Sequence, residues 1–393
     1  MSWSEVPLRR VFRIVNGGTP TSDDQFWNGD VPWATPVDLG PVDGKYLAST
    51  QRNLTEEGVR MGSRVVPEDS LILSTRAPIG YIAQTTSRTA FNQGCRGLIP
   101  NTLVDMRYFR YQLWALREEL VSRGAGSTFM ELSTEALAAV PIVAPSLHEQ
   151  RRIADFLDAE TAKIDQIAAI RSLQAGQLDE RESSWRSQMF LESDSGAWMR
   201  VKHLLRARPR YGVLVPEFVD IGVPFIRVNN LWGLTSLDGL AKIPEELSAQ
   251  YSRTVTTLGD VLVSVVGSLG KVAVVGESLV GANTARAVAV VRLNPKHPPS
   301  LFASWIGTAQ FEQQALLVTG ADSAQPTLGM EDLANFSVRW PADDAERKAM
   351  AHAAIEHQLE TAAAQAATNR QLALLAERRQ ALITAAVTGG ISL

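Results

Sequence analysis

The chain alternates twice between two patterns of hydrophobic and polar positions. In the first pattern, Gly and Pro separate short aliphatic runs such as Leu71–Ser74 and Val261–Ser264, which predicts strands. The second pattern is almost free of Gly and Pro and predicts one long helix over 147–191 and another over 343–387. We therefore expect an α+β chain in which each strand-rich segment is followed by a long helix.

The two halves repeat each other at an offset of about 190 residues, which is far longer than the unit of a solenoid. Val31-Pro32-Trp33 returns as Val223-Pro224-Phe225, and a weaker match places Asn92-Gln93 opposite Asn283-Thr284. Because the matches keep their order, we predict a pseudo-two-fold internal repeat of two domains. The predicted boundaries are 1–145 and 196–341 for the domains, and 146–195 and 342–393 for the helical spacers that follow them.

Both long helices carry apolar positions at spacings that pair one helix with another. We expect an antiparallel coiled coil of about 45-residue helices, a rod of roughly 65 Å that separates the two domains. The alternative is that each helix packs on its own domain. Ser146 is the predicted N-cap of the first helix, and Gly389-Gly390 is predicted to end the second. The positions expected to face the partner helix are Leu157, Ile164, Leu178 and Trp185 in the first helix and Ile355, Leu359, Ala363, Ala366, Leu375 and Leu382 in the second.

Composition narrows the class of protein. The formal net charge is −4, which argues mildly against nucleic-acid binding, although the distribution of charge matters more than its sum. A single cysteine, Cys95, excludes an internal disulfide and a multi-cysteine zinc site. The chain has no apolar run long enough for a transmembrane helix, and Met1–Arg13 has no signal-peptide core. We expect a cytoplasmic protein without membrane contacts.

A search for catalytic motifs finds none that is complete. Gly270-Lys271 resembles part of a phosphate loop, but Val265 and Val272 replace its first Gly and its Ser/Thr. His297-Pro298-Pro299-Ser300 fails at both ends as an amino-methyltransferase motif. The His residues show no metal-ligand spacing. We therefore expect a binding protein that is not an enzyme and holds no metal or cofactor.

The first half contains a specific succession of segments. They are Gly17-Gly18-Thr19-Pro20, Val31–Thr35, Pro67–Ser74, Phe91–Gly94 and Pro145–Asp158. This succession resembles the specificity subunits of type I restriction–modification systems. With the internal repeat, the resemblance covers nearly the whole chain.

The resemblance implies two target-recognition domains, each reading one half of a split double-stranded DNA sequence. Two methyltransferase subunits would dock on the helices and methylate adenine, and restriction subunits could join them. S-adenosylmethionine, ATP and Mg²⁺ would bind the partner subunits and not this chain. Readers on one face of DNA must be about 34 Å apart, so the target would be bipartite, with a fixed gap. Because the two halves of the chain differ, we expect an asymmetric target.

The candidate DNA-contacting residues are polar and follow strand-like runs at equivalent places in the repeat. A turn-forming or surface role is the alternative for each, and the Gly17–Pro20 turn is interpreted as structural. Arg151 and Arg152 are expected to pair with acidic residues or to meet a partner. The candidates are Thr35, Arg76, Asn92 and Gln93 in the first domain, and Arg227, Asn229, Asn230, Lys271, Asn283 and Arg286 in the second, with Arg200, Lys202, Arg206, Arg208 and Arg210 as a basic run for phosphate contacts.

Other classes of function stay open at this point. A methylase or nuclease with degenerate motifs would need a cofactor loop that the sequence lacks. A coiled-coil scaffold with no DNA role would lack salt-dependent DNA affinity. An orphan or phase-variable specificity subunit would still read DNA but would have other partners.

Overall fold

In the computed structural model, which describes residues 3–126, 130–320 and 325–391, the chain divides into two units. Unit 1 comprises Met1–Arg171 and Gln371–Leu393, and unit 2 comprises Ser172–Arg370. Each unit therefore combines one strand-rich domain with a part of each long helix. The domain and spacer boundaries predicted above, at residues 145, 195 and 341, stay a prediction.

Unit 1 contains eleven strands in its described residues, and three sheets follow from their pairing. The strands are β1 (Glu5–Pro7), β2 (Phe12–Asn16), β3 (Trp27–Ala34), β4 (Lys45–Leu47), β5 (Asn53–Leu54), β6 (Arg64–Val66), β7 (Leu71–Thr75), β8 (Ile79–Thr85), β9 (Thr89–Phe91), β10 (Cys95–Pro100) and β11 (Pro141–Val143). The helices that begin in this unit are α1 (Pro36–Leu39), α2 (Glu56–Gly62), α3 (Met106–Ala115), α4 (Arg117–Ser122), α5 (Thr134–Ala138) and α6 (Leu147–Leu191). The sheets have the strand orders β2-β10-β7-β8-β4, β5-β3-β9-β6 and β1-β11.

Unit 2 repeats this plan. Its strands are β12 (Gly196–Arg200), β13 (Leu205–Tyr211), β14 (Val223–Ile226), β15 (Lys242–Ile243), β16 (Val261–Ser264), β17 (Val272–Val274), β18 (Asn283–Thr284), β19 (Val288–Leu293) and β20 (Ser337–Pro341). Its helices are α7 (Glu245–Gln250), α8 (Pro299–Ile306), α9 (Ala309–Thr319), α10 (Met330–Asn335) and α11 (Asp344–Val387). The order β13-β19-β16-β17 matches β2-β10-β7-β8, and β15-β14-β18 matches β5-β3-β9. The predicted internal repeat is confirmed.

The central strand of each large sheet is buried on both faces. In β7, Leu71 and Leu73 pack in one hydrophobic cluster with α3 and α6, while Ile72 packs in a second cluster on the opposite face. In β16, Val263 and Leu262 divide between two clusters in the same way. A strand buried on both faces has a continuous apolar sequence rather than an alternating one, which explains these two runs.

The two long helices have the predicted bounds. Helix α6 spans Leu147–Leu191, as predicted, and α11 begins at Asp344, one residue after the predicted start. Ser146 caps α6, because its hydroxyl accepts a hydrogen bond from the Glu149 N–H at 3.3 Å. Gly389 has a φ of 79° just after α11. The Gly390 N–H reaches back to the Ala385 carbonyl at 2.7 Å, which gives the helix a Schellman-type ending.

Within each unit the portions of α6 and α11 pack antiparallel, which confirms the predicted antiparallel pairing of the two helices. In unit 2, the His357 ring stacks on Trp185 with centroids 4.0 Å apart and planes 3° apart. One turn further along α11, the Thr361 hydroxyl donates to Glu182 at 3.0 Å. In unit 1, Asp165 lies 3.4 Å from the Arg379 guanidinium. Residue numbers therefore rise along one helix as they fall along the other.

The face predicted for α11 is wrong in unit 2, whereas Leu375 and Leu382, in unit 1, are half-buried as predicted. Ile355 and Leu359, expected to face α6, are 45% and 66% exposed, and Ala363 and Ala366 are also exposed. Ala354, His357 and Thr361 turn toward the interior instead. The reason is that α11 is Ala-rich around its circumference, so apolar spacing alone does not select one face.

An ionic network ties α3 to α6 in unit 1. Asp158 accepts hydrogen bonds from the Tyr111 hydroxyl at 2.7 Å and from the Arg107 guanidinium at 3.0 Å. It also lies 3.3 Å from Arg110, whose side chain is only 3% exposed. Three hydrogen-bonded acidic partners, Asp105 first among them, raise the pKa of Arg107, so its charge is fixed.

We expect Asp158→Ala to lower the free energy of unfolding by about 3 kcal/mol, because it leaves the buried Arg110 charge without its counterion. Asp155→Ala is the matched control. Asp155 contacts the same Arg107 at 2.8 Å, but its side chain is 68% exposed, so its removal should cost about 1 kcal/mol or less. Urea unfolding followed by circular dichroism compares the two. Equal losses for both variants would contradict this account of the network.

His297 predicts a pH dependence in unit 2. Its Nδ1 accepts the Trp340 indole N–H at 3.1 Å, and burial, aided by Lys296 and Arg347, lowers the His297 pKa to about 4. The unfolded chain therefore takes up this proton first. We expect this contribution to stability to be complete above about pH 6.5 and to be lost as pH falls toward 4, by on the order of 3 kcal/mol.

His297→Gln should flatten that part of the stability–pH profile, measured by urea unfolding between pH 4 and pH 8. The control is His203→Gln, which removes an exposed His of the same unit and should leave the profile unchanged. A parallel profile for His297→Gln and the unaltered chain would show that His297 does not cause the dependence.

Candidate functional site

The candidate residues gather, in each unit, where two parallel strands end. Strand β3 pairs in parallel with β9, placing Ala34 opposite Phe91. Strand β14 pairs in parallel with β18, placing Ile226 opposite Thr284. Parallel strands have their carboxyl ends at one edge, so the residues that follow them are neighbours. We call this edge and the loops leaving it the strand-end surface of each unit.

The first loop of the surface is held by a side-chain cap. Asp38 accepts hydrogen bonds from the Thr35 backbone N–H at 2.9 Å and from the Thr35 hydroxyl at 2.6 Å. In unit 2, Asn230 accepts from the Arg227 backbone N–H at 2.9 Å. Asn230 therefore positions its loop, and Thr35 and Arg227 occupy equivalent places.

Two polar side chains of this loop in unit 2, those of Arg227 and Asn229, face solvent. Arg227 is exposed, and its guanidinium carbon lies 5.8 Å from the centre of the Phe218 ring. Asn229 is exposed as well. The position of Asn229 is that of Val37 in unit 1, since each is the second residue after the capped position. At this equivalent position, the loop therefore presents an apolar side chain in unit 1 and an amide side chain in unit 2.

The second loop in unit 1 follows β9. The Asn92 side chain accepts the Gly94 N–H at 3.0 Å, which shapes the loop. Gln93 is exposed at its tip. The Thr19 hydroxyl donates to Gln93 Oε1 at 2.5 Å, and the Arg96 guanidinium donates to the Gln93 carbonyl at 2.8 Å. The Gln93 amide is therefore oriented before any ligand arrives.

The Gly17–Pro20 turn supports this loop. The Gly18 N–H donates to the Phe91 carbonyl at 2.9 Å. A Cβ at Gly17 would lie 2.0 Å from the Asn92 carbonyl oxygen, so only glycine allows this approach. The structural interpretation of the turn holds, and the turn also delivers Thr19 to Gln93.

Arg76 lies beside the same loop. It is half-buried at the end of β7, where its backbone forms a bridge with Glu131. A Cβ on Gly94 would be 3.2 Å from the Arg76 Nε, so glycine leaves room for the guanidinium. Arg96, nearby, lies 3.4 Å from the Glu131 carboxylate. Arg76 therefore belongs to a polar cluster that includes the loop.

The hydrogen-bond register corrects the alignment of the two halves. The Asn92 N–H donates to the Ala34 carbonyl at 2.9 Å, and the equivalent bond in unit 2 joins the Ala285 N–H to Ile226 at 2.9 Å. Ala285 is thus the counterpart of Asn92, so the predicted match of Asn92 with Asn283 is wrong by two residues. Aligning the two Asn residues gives an identical pair in the sequence, but it ignores the hydrogen-bond register of the strands. In a segment this short, one identical residue is enough to shift the alignment by two positions.

Asn283 consequently lies in the interior, in β18. Its side-chain oxygen accepts hydrogen bonds from the Thr254 hydroxyl at 2.8 Å and the Thr284 N–H at 2.9 Å. Its amide nitrogen donates to the Ser248 hydroxyl at 3.1 Å. With 0% exposure and these partners, Asn283 stabilises the loop and offers no group to a ligand.

The other two candidates of unit 2 differ in exposure. Arg286 is the counterpart of Gln93 and is exposed, and its side chain has no hydrogen-bond or ionic partner among the described residues. Lys271 is half-buried, and its backbone N–H donates to Ser264 at 2.8 Å, as the Tyr81 N–H does to Ser74 at 2.9 Å. Lys271 thus stands where unit 1 has Tyr81.

The basic run begins in β12 and ends in β13, an edge strand. Arg200 donates to the Asn335 carbonyl at 2.6 Å, and Lys202 lies 3.3 Å from the Asn335 side-chain oxygen. Arg206, Arg208 and Arg210 are exposed along β13. The first two cations therefore have internal partners, and the last three face solvent.

Several residues at the first surface were not predicted. Arg52 is exposed, with its guanidinium carbon 3.5 Å from the centre of the Trp27 ring. Thr19 and Arg96 fix Gln93, as described above. Trp27 and Trp33 are the sequence feature that could have indicated the stacking position of Arg52. The contacts of Thr19 and Arg96 with Gln93 join distant segments, so no local pattern predicts them. Outside the surface, Arg151 is exposed on α6 and Arg152 pairs with Glu149 at 2.6 Å.

The described residues show no grouping that would hold a metal: three or more His, Cys, Asp or Glu side chains do not converge anywhere in them. Cys95 is buried, and burial raises the pKa of its thiol. Within the same ranges, no helix is long and apolar enough to cross a membrane.

Comparisons with known proteins point to one family. The family model for the type I restriction modification DNA specificity domain matches residues 1–173. The chain is 36% identical over 159 residues to the type I restriction enzyme MjaIX specificity subunit of Methanocaldococcus jannaschii, a match that covers 39% of this chain and 37% of that protein. It is 24% identical over 371 residues to the EcoBI specificity subunit of Escherichia coli, covering 86% of this chain and 70% of that subunit.

Solved structures share the fold. A chain from a study of complex assembly and conformational transition of the type I R-M system matches with a TM-score of 0.73 and 15% identity, over 99% of this chain and 98% of that one. The HsdS subunit from Thermoanaerobacter tengcongensis matches with a TM-score of 0.50 and 17% identity, over 99% and 97% of the two chains.

Two asparagines of unit 2 test the division between interior and surface. Asn283→Ala should lower the free energy of unfolding by about 2 kcal/mol, because buried partners lose their hydrogen bonds. Asn229→Ala, at an exposed position, should change it by less than about 0.5 kcal/mol. Urea unfolding measures both. A stable Asn283→Ala variant would contradict the interior role of Asn283.

Proposed function

We propose that this chain is a type I restriction–modification specificity subunit, the DNA-reading subunit of such a system, because residues 1–173 match the family model and the chain is similar to known specificity subunits. In this role it recognises a bipartite, asymmetric sequence in double-stranded DNA and carries no catalytic group. The observation that carries the proposal is the duplicated strand-end surface, which has one backbone plan and two different sets of side chains.

The exposed groups of each surface suit contacts to base edges. Amide and guanidinium groups can make paired hydrogen bonds to adenine or guanine in the major groove. Unit 1 offers Gln93, with Arg76 beside it, whereas unit 2 offers Arg227, Asn229 and Arg286. Different groups on equivalent loops select different bases, so the two halves of the target differ.

Phosphate contacts would position each unit on the duplex. Arg206, Arg208 and Arg210 are exposed on the edge strand β13, and such cations bind phosphates through an attraction that salt weakens. The net charge of −4 does not oppose this, because binding depends on the local surface. Lys271 is half-buried and directly precedes β17, the opposite edge of the same sheet, where it would supply a separate phosphate contact.

Two methyltransferase subunits, with restriction subunits in some assemblies, are the proposed protein partners. Apolar side chains on the long helices support docking there, because exposed apolar groups gain free energy when a partner covers them. These side chains are Ile170, Leu173, Ile355, Leu359 and Leu374. S-adenosylmethionine, ATP and Mg²⁺ would bind the partners, and the assembly would act in the cytoplasm.

Methylation mapping tests the proposal. The chain is co-expressed with a cognate methyltransferase subunit in a host without DNA methylation, and N6-methyladenine is located by sequencing. We expect a split motif that appears only when both proteins are present. Exchange of residues 1–145 for those of another specificity subunit should change one half of the motif and leave the other half intact.

A folded complex that co-purifies but methylates nothing would contradict the methylation role. Measured affinity of that complex for duplex DNA then separates the remaining classes. Affinity that falls steeply with salt indicates an orphan DNA reader, whereas no affinity indicates a coiled-coil scaffold.

A further inference from the structure

Gln93 and Arg286 occupy one position of the internal repeat. The residues before them, Asn92 and Ala285, each donate a hydrogen bond of 2.9 Å to the last residue of the neighbouring parallel strand. The carbonyls of the residues after them accept hydrogen bonds from the ends of β7 and β16, at 2.8 and 2.9 Å. The loop is therefore anchored on both sides in the same way, and both side chains are exposed at its tip.

The surroundings of the two side chains also differ. In unit 1, Arg76 stands beside the loop, and Gly94 leaves space for it. In unit 2, Val266 occupies the place of Arg76, since each follows the residue that anchors the loop, and Ala287 occupies the place of Gly94. Unit 1 thus has its guanidinium, that of Arg76, after the end of β7, whereas unit 2 has its guanidinium, that of Arg286, at the loop tip.

Gln93 is oriented for one kind of base. Thr19 donates to its Oε1 at 2.5 Å, which fixes the amide plane and leaves one lone pair of Oε1 and both Nε2 hydrogens available. An amide with an acceptor and a donor side by side matches adenine, which presents N6–H and N7 in the major groove. Guanine presents two acceptors, O6 and N7, and these match the two donors of a guanidinium such as that of Arg286.

We propose that Gln93 and Arg286 are equivalent specificity-determining residues, Gln93 selecting an adenine in one half of the target and Arg286 a guanine in the other. The inference rests on the proposed DNA-reading function and adds the base chosen at one position of each half. Thr19 is a positioning residue, because it acts on the base only through the Gln93 amide.

Reciprocal exchange tests the assignment. The full chain, in complex with its methyltransferase subunit, is mapped as Arg286→Gln and as Gln93→Arg. Arg286→Gln should convert one G·C pair of one half-site to A·T, and Gln93→Arg should convert one A·T pair of the other half-site to G·C. Each change should shift the preference at that pair by about tenfold or more. Arg206→Gln, at an exposed cation of unit 2, is the control and should lower methylation without changing the motif.

Thr19 provides a second measurement. Thr19→Val should weaken the preference for adenine at the pair read by Gln93, and Thr19→Ser, which keeps the hydroxyl, should restore it. The other half-site should be unaffected in both variants. A general loss of stability would lower methylation at all sites and would not be corrected at one base pair by serine.

The outcomes separate this inference from the function on which it rests. If the unaltered complex has no motif, the proposed function fails. If it has one and Arg286→Gln leaves it unchanged, or changes both halves, the base assignment is overturned. If Arg286→Gln abolishes methylation, the same complex is used to select binding sites from a random library of DNA duplexes. Enrichment of A·T at the pair read by residue 286 supports the assignment. Enrichment of G·C at that pair, or of no base pair, overturns it.

Discussion

The parallel pairing of β3 with β9, and of β14 with β18, is the constraint on which the candidate surface depends. Backbone hydrogen bonds hold the ends of the two strands side by side, so the loops that leave them emerge together whatever their side chains are. The buried strands β7 and β16 pack against this edge with one face. Ile72 shares a hydrophobic cluster with Ala34 and Phe91, and Leu262 shares one with Ile226. Side chains at the loop tips are thereby free to vary without cost to the core.

This separation of backbone from side chain explains how one fold supports two different surfaces. Unit 1 orients Gln93 through Thr19 and Arg96, which gives it a fixed amide. Unit 2 exposes Arg286 with no such support among the described residues. The features that the two units share are the anchoring hydrogen bonds of the loops, which join backbone atoms and so do not depend on the side chains at the loop tips.

The sequence predicted features that depend on local or repeated patterns. The bounds of α6 followed from Ser146 and from the near absence of Gly and Pro, and the repeat followed from collinear matches. The orientation of α11 did not, because alanine surrounds that helix and Ile355 and Leu359 marked the wrong face. The match of Asn92 with Asn283 was wrong, because only the backbone hydrogen-bond register shows that Ala285 is the counterpart of Asn92. The roles of Thr19, Arg52 and Arg96 depend on contacts between distant segments, which no spacing encodes.

The division of the long helices between the units has a consequence for synthesis. The core of unit 1 includes Ile383, Ala386 and Val387 of α11 together with Leu157 of α6, so its chain is discontinuous. Unit 2 lies entirely within the intervening segment, 172–370. All residues of unit 2 are synthesised before residues 383–387, whereas unit 1 must keep part of its apolar surface uncovered until those residues are available. The half that is made first is therefore the half that is finished last.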